Sequence, residues 1–102
     1  MNQAPKQIGH ADLIAYLILN SSHTKTNNTK HYIHGKLLTD INGLAICKHD
    51  HDTGYYLFYC DNTWKEFTDT YHESIEDAID QAEFEFANTR ESWVYRPLSS
   101  QW

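Results

Sequence analysis

Between Lys65 and Arg90 the chain carries eight carboxylates, at positions 66, 69, 73, 76, 77, 80, 83 and 85, and no lysine or arginine. Such a one-sign run does no bond chemistry on its own. It creates a field that attracts a cationic surface and repels phosphate backbones, which points to a basic protein partner and away from direct nucleic-acid binding. One large aromatic, Phe84, stands within the run. An exposed ring rimmed by charge is the anatomy of a binding hot spot, because the ring supplies desolvated area while the carboxylates steer the partner.

Other residue sets are chemically capable but poorly spaced. His49-Asp50-His51-Asp52 puts four potential metal ligands in a row. Adjacent residues rarely converge on one ion, and a zinc site needs hydrogen bonds behind its ligands, so a polar turn is the expected role and no metal is expected. Neither Cys47 nor Cys60 has a convincing histidine and aspartate constellation nearby in sequence, so a nucleophilic thiol would need neighbours brought in by the fold. His31 and His34 are three apart on an expected strand and would point to opposite faces. Tyr55, Tyr56, Phe58 and Tyr59 with Trp64 resemble a base-stacking platform, but the basic groove such a platform needs is missing. No catalytic residue or cofactor is assigned.

The element that must position the acidic run is a helix over about residues 74–87. Ser74 is a good N-cap, Asp77 three positions on is a weaker relative of the capping-box glutamate, and Glu76 and Asp77 suit the helix dipole. At 100° per residue, Ala78, Ile79, Ala82 and Phe86 fall within about 60° of Ile75 and make the buried stripe. Glu73, Glu76, Asp77, Asp80 and Glu83 fall between about 80° and 200°, with Phe84 at about 180° among them. Glu85 alone departs from this pattern. A row of helix carboxylates is ordinarily just a solvated face. Here the absence of interleaved basic residues, which normally give i, i+4 support, favours the functional reading. Asp69, Glu73, Glu76, Asp77, Asp80, Glu83 and Phe84 are therefore the expected partner-binding residues, unless Trp93 or the N-terminal segment covers Phe84.

Upstream, the apolar run from Leu13 to Leu19 has helical spacing and is followed by Asn20 and a polar cluster, which predicts a helix over about 9–20. The Asn-, Ser- and Thr-rich stretch 20–29 reads as a loop. Strands are expected at about 31–38, 43–49, 55–60 and 64–68, the middle two forming a hairpin about His49–Gly54. That hairpin places Cys47 opposite about Tyr56 and Cys60 opposite about Gly43, which leaves the thiols out of register for a disulfide. Trp93-Val94-Tyr95 adds an edge strand or a packed tail. The expected fold class is α+β: a three- to four-stranded antiparallel meander with an N-terminal and a C-terminal helix.

A chain of 102 residues suits one domain. Its hydrophobic share of 40% and aromatic share of 14% supply the core that a disordered chain lacks. The net charge of -6 is uneven: residues 1–60 hold five lysines against four aspartates, and residues 61–102 hold three basic residues against ten acids. Met1–Gly9 is polar with no leader-like apolar segment, and seven apolar residues in a row are too few to span a bilayer, so the cytoplasm is the expected compartment.

The segment Gly54-Tyr55-Tyr56-Leu57-Phe58-Tyr59-Cys60-Asp61, then Trp64, then Thr68-Asp69-Thr70-Tyr71-His72, then the helix through Gln81-Ala82-Glu83-Phe84-Glu85-Phe86, is similar to a type of small bacterial protein. More loosely the chain resembles the small acidic immunity proteins of bacterial toxin–immunity systems, of contact-dependent inhibition or secreted effectors. That resemblance implies a non-enzymatic inhibitor that binds and neutralises a cognate toxin, often a nuclease. Small phage inhibitors that imitate nucleic acid with carboxylates look similar for the same reasons. Two further classes are an enzyme using the thiols or a hairpin-tip metal, motivated by seven histidines, and a structural domain that oligomerises through a sheet edge or Phe84.

Overall fold

The computed structural model describes residues 1–97. Its elements follow as β1 (Gln7–Ile8), β2 (Ala11–Ile18), β3 (Thr24–Lys25), β4 (Tyr32–Ile33), β5 (Lys36–Leu37), β6 (Gly43–Lys48), β7 (Tyr55–Cys60), β8 (Glu66–His72), α1 (Ile75–Glu85), β9 (Phe86–Ala87) and β10 (Val94–Tyr95). Strands β1, β2, β6, β7 and β8 are neighbours in that order and form a curled antiparallel half-barrel. β6 takes one edge of β2, so β1 and β10 share the other, β1 pairing with Ala11 and Asp12 and β10 with Ala15 and Tyr16. Among the described residues α1 is the only helix, and it is not long and apolar enough to cross a membrane.

The expected N-terminal helix over 9–20 is strand β2, and the protein is mostly β rather than a two-helix α+β domain. Two physical facts explain the misreading. β2 lies inside the sheet with both faces covered, so it is apolar on both faces, and a short apolar run of this kind cannot be told from a buried helix by periodicity. A bulge between Leu13 and Ala15 also breaks the two-residue alternation. Ala11, Leu13, Tyr16 and Ile18 consequently face one side and Ala15, Leu17 and Leu19 the other. The resulting step from Leu13 to Tyr16 imitates a helical i, i+3 spacing.

The expected strand over 31–38 is a small separate hairpin. His34 and Gly35 both have positive φ, at 52° and 79°, and turn the chain between β4 and β5, which pair with each other away from the main sheet. The last meander strand runs over 66–72 rather than 64–68, because Trp64 lies in the preceding turn with φ 67°. In the central hairpin Cys47 stands opposite Tyr56 and Gly43 opposite Cys60. The helix ends at Glu85, and the next two residues extend to pair with β3.

Two cores sandwich the sheet. On one face α1 lays Ala78, Ile79 and Ala82, with the following Phe86, against Ala15, Leu17, Leu44, Ile46, Leu57 and Tyr59. On the other, the N-terminal residues Ala4 and Ile8 and the ring of Trp64 cover Leu13, Ala45, Cys47, Phe58 and Cys60. Each fully buried leucine or isoleucine contributes roughly 1.5–3 kcal/mol. Gly43 is required where Trp64 crosses, since a Cβ there would meet the indole at 2.6 Å.

Candidate functional site

The helix starts as its sequence requires. Ser74 has extended backbone and its hydroxyl accepts the Asp77 N–H at 3.0 Å, and Glu76 and Asp77 sit in the first turn, where the dipole favours anions. No basic residue stands in the last turn. The polar 20–29 segment takes that role: the Thr26 hydroxyl and Asn28 amide donate to the Phe84 carbonyl at 2.6 and 2.9 Å, and the Thr26 N–H donates to the Glu85 carbonyl at 3.0 Å. This segment is thus tied to the helix end.

The outward side carries Glu73, Glu76, Asp77 and Asp80, all exposed, with Glu83 half-buried. Phe84 is 51% exposed and belongs to neither core. The face is not wholly of one sign, because Arg90 folds back from beyond the helix. Its guanidinium donates to Glu76 at 3.1 Å and Asp80 at 2.5 Å. Glu83 accepts the backbone N–H groups of Asn88 and Arg90 at 2.8 and 3.0 Å, which hold its carboxyl below the usual range. Sequence reasoning placed Arg90 outside the acidic run, and the turn through Asn88, at φ 72°, brings it back. The helix face still has five carboxylates against one guanidinium. Glu73 and Asp77 have no ion-pair partner among the described residues.

No family model, curated protein or solved structure matches the chain. The residues themselves therefore carry the functional reading.

Asp69, expected to join the helix set, is separated from it. It pairs with Phe58 on β7 and so lies on the sheet face opposite α1. There it neighbours Glu66, whose carboxyl is raised to about 7, first by burial and then by the hydrogen bond and charge of Asp69. One oxygen of Glu66, Oε2, is buried without a hydrogen-bond partner.

The hairpin tip keeps its residues close. His49 and His51 rings lie 5.4 Å apart, and the Asp52 carboxylate accepts from the Tyr56 hydroxyl at 2.9 Å and stands 3.7 Å from His51. Among the described residues no three histidine, cysteine or acidic side chains cluster as a metal site would require. Both thiols are free and buried. Burial pushes Cys47 far up and Cys60 up to about 12, the reverse of what a nucleophilic thiolate needs.

A buried polar network escaped sequence reasoning. Glu85, only 3% exposed, accepts from the Tyr59 hydroxyl and from the Gln81 amide at 2.9 Å, and its other oxygen meets His31 Nε2 at 2.6 Å. His31 also lies over the Tyr59 ring, centroids 4.3 Å apart. Burial first, and then the Glu85 carboxylate, drive the Tyr59 phenol well above its ordinary value. The one available signal was the helical wheel, where Glu85 at about 280° lies nearer the buried stripe than the acidic side. The network joins helix, sheet and the loop before β4, which explains its burial as architecture.

Proposed function

We propose that the protein is a binding protein of the immunity type, which docks the outer face of α1 on a basic protein, a cognate toxin, and blocks it. One observation carries this reading: Phe84 stands half exposed on a helix face whose Glu73 and Asp77 have no ion-pair partner among the described residues. A half-exposed ring leaves apolar area in water, and in an interface it becomes the desolvated anchor while flanking carboxylates speed and orient the encounter. Arg90 leaves the face acidic and fixes the Glu76 and Asp80 side chains in place. Small size and acidity are what the sequence shares with the immunity proteins, while the mostly β fold departs from their expected α+β build.

Affinity purification of the tagged protein from its own cells, with mass spectrometry, tests the proposal. A single basic protein recovered by the native chain, released by salt and lost with Glu73→Lys/Asp77→Lys or Phe84→Ala, is the expected outcome. Recovery of the same partner, with the same salt dependence, by all three chains would remove the helix face as the binding surface.

A further inference from the structure

The two edges of the half-barrel are finished differently. The β2 edge is closed by β1 and β10, and backbone bonds from Leu13 N–H to Lys6 and from Arg96 N–H to Ile14, at 2.8 and 2.9 Å, extend the seal. Among the described residues the β8 edge has no backbone partner on its outer side. β8 is seven residues long, and its register with β7 shifts at Phe67 between Cys60–Glu66 and Tyr59–Thr68 and then runs unbroken to Tyr55–His72. Folded proteins blunt such an edge with charge, above all lysine, with proline, with a bulge or with a covering segment, since its row of free N–H and C=O groups is a template for another strand; here the bulge lies at the start of β8 and leaves Thr68–His72 regular. Glu66-Phe67-Thr68-Asp69-Thr70-Tyr71-His72 has no lysine, proline or glycine.

What the edge does carry is negative charge at its centre. Asp69 is exposed at the middle of β8, and Tyr71, two residues on and on the same sheet face, is 49% exposed. Full antiparallel overlap with a second copy would set Asp69 directly against Asp69, between chains of net charge -6, and like charges directly opposite destabilise a strand pair. A cationic residue of a different chain meets Asp69 favourably at that position, and its neighbour two residues along packs on the Tyr71 ring.

We infer that the outer edge of β8 is a docking edge that takes an extended, lysine- or arginine-bearing segment of another protein as an added strand. The main chain supplies affinity, and the positions opposite Asp69 and Tyr71 supply selectivity. This inference uses a different element from the helix face and stands without it.

The test uses the full chain. Linear nonapeptides displayed on phage are selected against it at low salt, and the tightest, synthesised with capped ends, is titrated while amide exchange is followed by NMR. The selected peptides alternate basic and aliphatic residues, and alternate amides of Glu66–His72 exchange roughly tenfold more slowly in the complex, as new ladder bonds require. N-methylation of alternate peptide nitrogens and Asp69→Lys each weaken binding about tenfold, whereas Phe84→Ala leaves it unchanged. Failure to select any peptide, selection of acidic ones, or a dimer whose β8 amides are protected without peptide overturns the inference. Protection over α1 with β8 unchanged also overturns it, while supporting the helix-face proposal.

Discussion

Phe84 and Glu85 are neighbours on one helix, and each sits where the other would be expected. The aromatic ring is 51% exposed and the carboxylate is 3% exposed. Glu85 is held by three side chains, from β7, from the loop before β4 and from its own helix. The Phe84 ring lies outside both cores, and the bonds at that residue go to its backbone carbonyl. The contrast separates two kinds of anomaly. A buried acid with its partners in place is part of how the fold is joined, and a half-exposed ring outside both cores is surface available to something else.

The largest effect should come from the inner member of the pair. Glu85→Ala leaves the buried Tyr59 hydroxyl and the half-buried His31 without Glu85 as a partner, and should cost about 3 kcal/mol, read as a lower urea midpoint at unchanged slope. A loss under about 1 kcal/mol would mean that the network contributes little and that the contrast with Phe84 is superficial.

A smaller effect lies on the opposite sheet face. Glu66 has its folded value raised above the ordinary 4.5 to about 7, so between those values the folded protein holds a proton that the unfolded chain has released. Its contribution to stability therefore falls as pH rises from about 4.5 to about 7 and stays low above that. Glu66→Gln should flatten this slope and stabilise the protein at pH 8 by about 1 kcal/mol, a figure reduced for the partial exposure of the group. Thermal melts at pH 5 and pH 8 check it, and an unchanged slope would locate the titration elsewhere.

The smallest effect on the fold should be that of the outer member. Phe84→Ala should shift stability by no more than about 0.5 kcal/mol while abolishing partner recovery. A loss comparable with that of Glu85→Ala would show the ring to be structural and would break the comparison.

Much of this was legible in the chain. The central hairpin and its register followed from two apolar runs about a polar turn, and the acidic helix from Ser74 and its apolar stripe. The acidic side and the position of Phe84 followed from the same wheel. Other features were hidden for physical reasons. β2 is apolar on both faces and bulged, so its spacing imitates a helix. His34 and Gly35 fold a single expected strand into a hairpin. Arg90 reaches Glu76 and Asp80 across 14 and 10 residues of sequence, and Asp69 belongs to the other face of the sheet.

By itself, the sequence determined the local patterns: where the chain turns, which stripe of α1 is apolar, and that its other side is acidic around an aromatic. These depend on residues within a few positions of one another, whose periodicity and turn chemistry are written consecutively. Only the tertiary structure decided which carboxylates keep their charge facing water, which is neutralised by a distant arginine, and which is buried against His31 and Tyr59. It also decided that one sheet edge is sealed while the other has no backbone partner among the described residues. Those outcomes depend on which segments become neighbours across the sheet, and a one-residue bulge or a two-residue turn is enough to redirect them.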